Sequence, residues 1–359
     1  IFMIMPITGA VLLLVTSYKL QVTSWRYFWV GILFAIGFLF KVPVFFDMVG
    51  VGFWLIVYRA KGIAEVIKKI FDRKIWLLLV GFLTPVLLSI AYYFVLGAGE
   101  VYLRSALGQN IGYLASWGGS EVRPFYESGL FQRGLAVVVW MVGLWLMRKR
   151  LGYEFGLVGL WLVMALFGAN LSGRPYPHYM IQILVPGSLL IGVMLVKQDL
   201  WKWVVGRGLM VTVGLTIWKY DYWYYQSWPY YENFARYVIG DKSRVEYESF
   251  WGEGVLRNER IAKYIRLQTD KDERIFVWGT EPAIYALSER LPVGRYTVAY
   301  HIKDFDGWKE TMEAIKKYEP KVIVIDQNEE KFEELNSYVS ALYTEVMREG
   351  GVRVFRRIL

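Results

Sequence analysis

The 359-residue chain contains no cysteine and only two histidines. The absence of cysteine excludes disulfide bonds, thiolate zinc sites and a cysteine nucleophile. Two histidines leave little material for a metal centre built from imidazoles; no cofactor is evident from the sequence, and a metal requirement stays open. The chain also shows no internal repeat. What it contains in excess is apolar residues, at 55%, and aromatic residues, at 18%.

Charge is distributed unevenly along the chain. The net charge of +9 would suggest a nucleic-acid partner if it lay on a soluble domain. Residues 1–219, however, contain 20 Lys and Arg against 8 Asp and Glu, whereas residues 220–359 contain 21 against 24. The excess of positive charge therefore belongs to an apolar part that is too poor in charge for a soluble domain. We predict a membrane domain over 1–219, a soluble domain over 220–359, and no nucleic-acid partner.

Eight apolar runs in the first part predict membrane-spanning helices. They lie at about 1–17, 24–40, 44–58, 75–97, 131–147, 155–171, 179–196 and 203–219. If the spans alternate in direction, the connections on one side carry fourteen cations and those on the other carry six. The fourteen are Lys19, Arg26, Arg59, Lys61, Lys68, Lys69, Arg73, Lys74, Arg148, Lys149, Arg150, Lys197, Lys202 and Arg207. The positive-inside rule assigns them to the cytoplasm. We therefore predict an α-helical polytopic membrane domain of about eight spans, followed by a small extracytoplasmic domain.

The second part alternates short strands with helices. The predicted strands are 274–279, 296–300, 321–326 and 352–356, and the predicted helices are 280–287, 308–318 and 329–342. This alternation is typical of a small α/β domain with a mainly parallel sheet.

Two ionisable residues lie where the predicted topology has an outer turn. Lys41 follows an apolar run and precedes Val42-Pro43, and Asp47 follows shortly after. Ionisable groups in or beside spans are costly, so each is a candidate functional residue. The alternatives are that Lys41 extends to the outer head groups and that Asp47 forms a local ion pair.

The outer connection over residues 172–179, Ser-Gly-Arg-Pro-Tyr-Pro-His-Tyr, is the most distinctive stretch of the chain. Two prolines restrict it, and it presents Arg174, Tyr176, His178 and Tyr179 at the outer surface. An arginine with a nearby histidine suits a phosphate or pyrophosphate group. The alternative is a rigid interfacial loop whose tyrosines belong to an aromatic belt.

Three other stretches leave two interpretations open. Residues 59–74 are either a basic amphipathic helix on anionic lipid or a loop that sets the topology. Residues 218–231, with nine aromatic side chains, are either an interfacial belt or a stacking surface for sugars. The mixed polar and aromatic loop 98–130 suits either a carbohydrate cleft or a surface helix.

The chain resembles the GT-C polytopic glycosyltransferases, in the prokaryotic branch similar to glycosyltransferase family 39, which includes protein O-mannosyltransferases and aminoarabinose transferases. Residues 31–41 (GILFAIGFLFK) look like the family's glycine-rich helix ending in lysine. Residues 173–179 (GRPYPHY), with Gln182 and Pro186, look like its outer-loop motif. Residues 277–285, with Arg295-Tyr296 and Tyr300-His301, look like the outer domain of this branch.

The resemblance implies a multi-pass enzyme of the cell membrane that transfers a sugar from a polyprenyl-phosphate donor to a glycan, lipid or protein at the outer face. Lys41, Arg174, His178 and Tyr179 would be phosphate-side residues, with Asp47 and Tyr176 as further candidates. In the family an acidic residue in the first outer loop deprotonates the acceptor. We expect this residue upstream of Ile1, so the 359 residues alone would be inactive. The alternatives are a transporter or flippase of lipid-linked sugars and a non-catalytic membrane scaffold.

Overall fold

The computed structural model describes residues 2–19, 24–109, 126, 128–174, 176–196, 199–222 and 227–358. The chain divides into two compact units, Ile1–Tyr225 and Gln226–Leu359. The first unit is helical, and the second combines helices with a small sheet. Composition predicted the division at residues 219 and 220, where the density of charged residues rises.

Ten α-helices are described in the first unit. They are α1 Ile4–Lys19, α2 Trp25–Phe40, α3 Val44–Phe53, α4 Ile63–Ile70, α5 Arg73–Val95, α6 Gly99–Leu103, α7 Gly129–Leu146, α8 Arg148–Ala169, α9 Leu184–Val196 and α10 Leu200–Lys219. A π-helical turn, Trp54–Tyr58, continues α3, another, Arg104–Gly108, continues α6, and a 3₁₀ helix, Pro177–Ile183, precedes α9. All eight apolar runs fall on helices.

Five of these helical segments are long and apolar enough to cross a membrane. They are α5, α7, α8, α10 and the continuous segment Pro177–Val196. Three further apolar helices, α1, α2 and α3 with its π-helical turn, are shorter. Several apolar helices could thus span a bilayer, and the number of spans and their orientation stay predictions.

Close helix packing organises the first unit around α8. Helix α8 contacts α3, α7, α9 and α10, and its apolar stretch is largely buried. Helices α2 and α5 approach each other through glycines: a Cβ on Gly31 would overlap the Leu78 carbonyl oxygen, and one on Gly81 would overlap that of Phe28. Small residues that allow backbones to approach this closely are typical of helix contacts in membranes.

Residues 63–70 of the basic connection form helix α4, which has no buried residue. Ile63 and Ile67 are exposed on it, and Lys68 and Lys69 lie in its last turn. Exposed apolar side chains beside cations are what an interfacial amphipathic helix on anionic lipid requires. The structure therefore favours this interpretation of the connection over a plain loop.

The second unit contains seven helices and four strands among the described residues. They are α11 Ser227–Val238, α12 Arg244–Ser249, α13 Glu253–Gln268, β1 Phe276–Trp278, α14 Ala283–Ser288, α15 Ala299–Asp304, α16 Trp308–Tyr318, β2 Val322–Asp326, α17 Glu333–Leu342, β3 Tyr343–Glu349 and β4 Val352–Arg357. The strand order is β1-β2-β4-β3. Strand β1 is parallel to β2, and β4 is antiparallel to both β2 and β3.

Both faces of the sheet are buried. Successive residues of β2 point to opposite faces, and from Val322 to Ile325 the residues on each face are apolar and buried. Ile323 and Ile325 pack in a cluster with side chains of α16 and α17, whereas Val322 and Val324 pack in a second cluster with side chains of α13 and α14. Helices on both faces of a sheet make a three-layer α/β arrangement.

Two predictions for this unit were wrong, and one strand was missed. The sheet is not mainly parallel, because two of its three strand pairs are antiparallel. Residues 296–300 are not a strand: helix α15 begins at Ala299, whose N–H donates to the Gly279 carbonyl at the end of β1. Strand β3 was not predicted, although Gly350 and Gly351, both with positive φ, form the two-residue turn typical of a hairpin.

The Tyr285 hydroxyl pairs with a backbone N–H at the outer edge of β1, and its loss should lower the stability of the domain. The Tyr285 hydroxyl accepts a hydrogen bond from the Val277 N–H at 2.8 Å, on the side of β1 that faces away from β2. Tyr285→Phe leaves this buried N–H without a partner, which costs about 1–3 kcal/mol. We expect faster hydrogen exchange at residues 274–280 by mass spectrometry. Tyr300→Phe, on a half-exposed ring, is the control, and equal exchange in both variants would contradict the assignment.

Candidate functional site

Lys41 lies in the turn between α2 and α3. Its N–H donates to the Gly37 carbonyl oxygen at the end of α2, and Pro43 caps the start of α3. The side chain is half-buried, and Nζ lies 4.3 Å from the centroid of the Tyr179 ring. Within the described part of the chain, the ammonium makes neither a hydrogen bond nor an ion pair. Lys41 is therefore a partly desolvated cation supported by one aromatic face.

The aromatic residues of the connection 172–179 cluster around Tyr179. The ring of His178 packs edge-on against Tyr179 with centroids 4.6 Å apart, and Tyr176 packs edge-on against it at 5.6 Å. Tyr176 and His178 stack on each other with an interplanar angle of 13°. The 3₁₀ helix that begins at Pro177 carries two of these rings. The connection and Lys41 thus form one aromatic-cationic cluster.

A cavity of about 630 Å³ opens beside this cluster. Its polar wall residues are Lys41, Ser172 and Tyr179, and most of the remaining wall is apolar, with phenylalanines of α2 and α3 and Leu107. The volume lies in the range of small-molecule sites. An apolar chamber with one cation and two hydroxyl groups on its wall suits a ligand with an anionic group and a hydrocarbon part.

Asp47 lies behind the cavity wall and is fully buried. One carboxylate oxygen accepts a hydrogen bond from Trp161 Nε1 at 2.6 Å, and the other accepts one from Gln182 Nε2 at 2.5 Å. Gln182 Nε2 also donates to the Pro43 carbonyl at 3.1 Å. The local ion pair weighed for Asp47 is not formed with Lys41. The carboxylate instead joins α3, α8 and the 3₁₀ helix, and we interpret it as a positioning group.

Gly168 near the end of α8 makes this junction possible. A Cβ at this position would lie 2.8 Å from Gln182 Nε2 and 3.1 Å from the Pro43 carbonyl oxygen. A larger residue would therefore separate the elements that carry Lys41 and Tyr179.

Arg174 lies in the same connection, two residues before Tyr176. Its N–H donates to Ser172 Oγ at 3.4 Å, and its carbonyl accepts from the Tyr176 N–H at 2.9 Å. Of the six predicted site residues, Lys41 and Tyr179 line the cavity. The other four, Arg174, Tyr176, His178 and Asp47, do not. Two of the candidates can therefore contact a ligand in the cavity directly, and four cannot in this arrangement.

Sequence reasoning did not single out Trp161 or Ser172 as site residues. Trp161 sits inside an apolar run, and the only signal for it was that a buried Asp47 needs a donor. Several residues proposed for a carbohydrate cleft in the loop 98–130, at 110–125 and 127, lie outside the described residues, as do Pro175 and residues 223–226 of the aromatic run.

Comparison with known proteins gives one family match. Residues 257–356, from α13 to β4, match the family model described as "Putative competence-induced protein Ccs4 C-terminal domain". No curated protein and no solved structure matches the chain. The matched segment lies in the second unit, so the similarity concerns the α/β domain and not the cavity beside Lys41.

Proposed function

We propose that this chain is an integral membrane glycosyltransferase that binds a polyprenyl-phosphate sugar in the cavity beside Lys41. It transfers the sugar to an acceptor at the outer face of the membrane. The observation that carries the proposal is the half-buried Lys41 ammonium, which forms no direct ion pair among the described residues and lies on the wall of a large cavity.

A partly desolvated cation without a counter-charge costs free energy, and an anionic ligand offsets this cost. A phosphate is suited to the position because it accepts charge-assisted hydrogen bonds from the ammonium and neutral ones from the hydroxyl groups of Ser172 and Tyr179. The phenylalanine-rich part of the wall accommodates the first isoprene units of the lipid. The cavity therefore supports a ligand that combines phosphate with hydrocarbon.

In glycosyl transfer the acceptor hydroxyl forms a bond to the anomeric carbon while the bond from that carbon to the phosphate oxygen breaks. Negative charge develops on the departing lipid phosphate, and Lys41 stabilises it there. A carboxylate must take the proton of the acceptor hydroxyl. Asp47 is unsuited to this role, because it is fully buried and both of its oxygens accept side-chain hydrogen bonds.

The test uses full-length protein in liposomes with a radiolabelled polyprenyl-phosphate sugar supplied in either leaflet. Transfer of label to an acceptor supports the proposal. Movement of the labelled lipid between leaflets without transfer supports a flippase instead, and neither transfer nor binding supports a scaffold. The match to the C-terminal domain family carries no weight here, because its description names induction in competence and no chemistry.

Arg174→Ala and His178→Ala should each abolish transfer while the protein stays folded, because the resemblance assigns both residues to the phosphate side of the site, although neither lines the cavity wall. The measurement is single-turnover transfer, with circular dichroism and gel filtration as checks on folding. Arg207→Ala is the matched control, since its guanidinium stacks on Trp203 away from the cavity. Full activity in both variants would refute the assignment of these residues.

A further inference from the structure

A second cation of the first unit also lacks an anionic partner. Arg133, in the second turn of α7, donates from Nη2 to the Leu171 carbonyl at 3.2 Å and from Nη1 to the Tyr220 hydroxyl at 3.4 Å. Its Nε is enclosed and has no hydrogen-bond partner. No carboxylate contacts the guanidinium in the described part of the chain. Two neutral partners leave the charge uncompensated.

A groove between α7, α8 and α10 extends from Arg133. Arg133, Asn170 and Tyr220 lie at one end, and Trp140 and Leu209 lie towards the other. Arg133 and Trp140 are seven positions apart, which corresponds to about 10 Å along a helix. Between these ends the lining side chains are mostly aliphatic. The groove therefore combines a cationic end with an apolar channel of about 80 Å³ between three helices.

A further cation stands beside the same end. Lys219 Nζ and Arg133 Cζ each lie 5.7 Å from the centroid of the Tyr220 ring. The Asn170 side chain already forms hydrogen bonds within the protein: its amide donates to the Leu166 carbonyl, and its oxygen accepts from the Tyr222 hydroxyl. The end of the groove is thus positive without a compensating acid among the described residues.

The end of α8 and the residues after it separate this groove from the cavity beside Lys41. Phe167 and Asn170 line the groove, whereas Gly168, Ala169 and Leu171 line the cavity. The Leu171 carbonyl, which accepts from Arg133, belongs to a residue of the cavity wall. The two cationic sites are therefore distinct and lie back to back.

We propose that the groove binds one anionic phospholipid, with its phosphate on Arg133 and an acyl chain along the apolar channel. The inference rests on the proposed membrane location but not on glycosyl transfer. The phosphate would lie against the guanidinium of Arg133, which lines the groove, and would be close to Lys219. A hydrocarbon chain would cover the aliphatic side chains that otherwise line an open groove.

Native mass spectrometry of the whole protein, titrated with phosphatidylglycerol in detergent, tests the proposal. We expect one tightly bound phosphatidylglycerol, weakened about tenfold or more by Arg133→Gln, because a charge-assisted interaction with the phosphate is lost. Ala136→Phe, which fills the groove at an exposed position, should weaken binding in the same way. Arg207→Gln should not. Unchanged affinity in both groove variants would overturn the proposal.

Three further ligands distinguish the possible sources of the phosphate. Phosphatidylcholine should bind more weakly than phosphatidylglycerol, and inorganic phosphate should not compete. A polyprenyl phosphate should respond to substitution of Lys41 and not of Arg133. Binding of polyprenyl phosphate that depends on Arg133 alone would assign the groove to the sugar donor and would overturn the phospholipid proposal. A protein that binds the phospholipid but transfers no sugar would contradict the proposed glycosyltransferase function and leave the phospholipid proposal standing.

Discussion

Lys41→Met is expected to weaken binding of a polyprenyl-phosphate sugar by about 10- to 100-fold. It should do so without lowering the stability of the ligand-free protein. The ammonium is half-buried, contacts the Tyr179 ring and lacks an anionic partner in the described part. Methionine keeps the length and apolar character of the side chain but removes the positive charge. A residue that serves only packing would not separate affinity from stability in this way.

The measurement for Lys41 is a binding titration in detergent or nanodiscs, combined with thermal unfolding of the unliganded protein. Lys74→Met is the control, because Lys74 also lies over a tyrosine, with Nζ 5.6 Å from the Tyr27 ring centroid, but is exposed and away from the cavity. Its substitution should change neither quantity. Unaltered affinity in Lys41→Met would refute the anion site, whatever the outcome for Arg174 and His178.

The pairing of Lys41 with Tyr179 shows how far the sequence could predict the site. Lys41 was a candidate because an ionisable group beside an apolar run is costly, and Tyr179 was one because it belongs to the distinctive stretch 172–179; neither argument needs three-dimensional information. Their contact could not be derived in this way, since it depends on α8 bringing the 3₁₀ helix against the turn before α3. The approach is controlled by Gly168, whose importance becomes visible only from its 2.8 Å clearance to Gln182.

The errors in the second unit have a similar cause. Residues 296–300 have the composition of a strand, but a strand needs an edge to pair with. The outer edge of β1 is already occupied, because Tyr285 accepts from Val277 and Ile275 exchanges backbone hydrogen bonds with Leu291 and Val293. Tertiary contacts therefore override local propensity here. In contrast, the hydrophobic run of β2 is buried on both faces, and the strand was predicted correctly from its pattern alone.

Asp47→Ala should lower the stability of the first unit by about 2–5 kcal/mol, because it removes an acceptor from two buried donors. Trp161 Nε1 would lose its partner, whereas Gln182 Nε2 would keep the Pro43 carbonyl. Asp47→Asn should cost less, since it retains one acceptor oxygen but turns an amide donor towards one of the two donors. Thermal unfolding in detergent measures the order, and Ser188→Ala, an exposed hydroxyl bonded within its own helix, is the control.

A double-mutant cycle separates this network from independent packing effects. If Asp47 and Trp161 act through their mutual hydrogen bond, Asp47→Ala combined with Trp161→Phe should destabilise less than the sum of the two single changes. Additive losses would contradict the network. The network also joins α3 to the 3₁₀ helix that carries Tyr179, so Trp161→Phe should weaken binding of the phosphate ligand although Trp161 is not on the cavity wall. Its effect should disappear in a Lys41→Met background, because the network acts on the ligand through the position of Tyr179 against that ammonium.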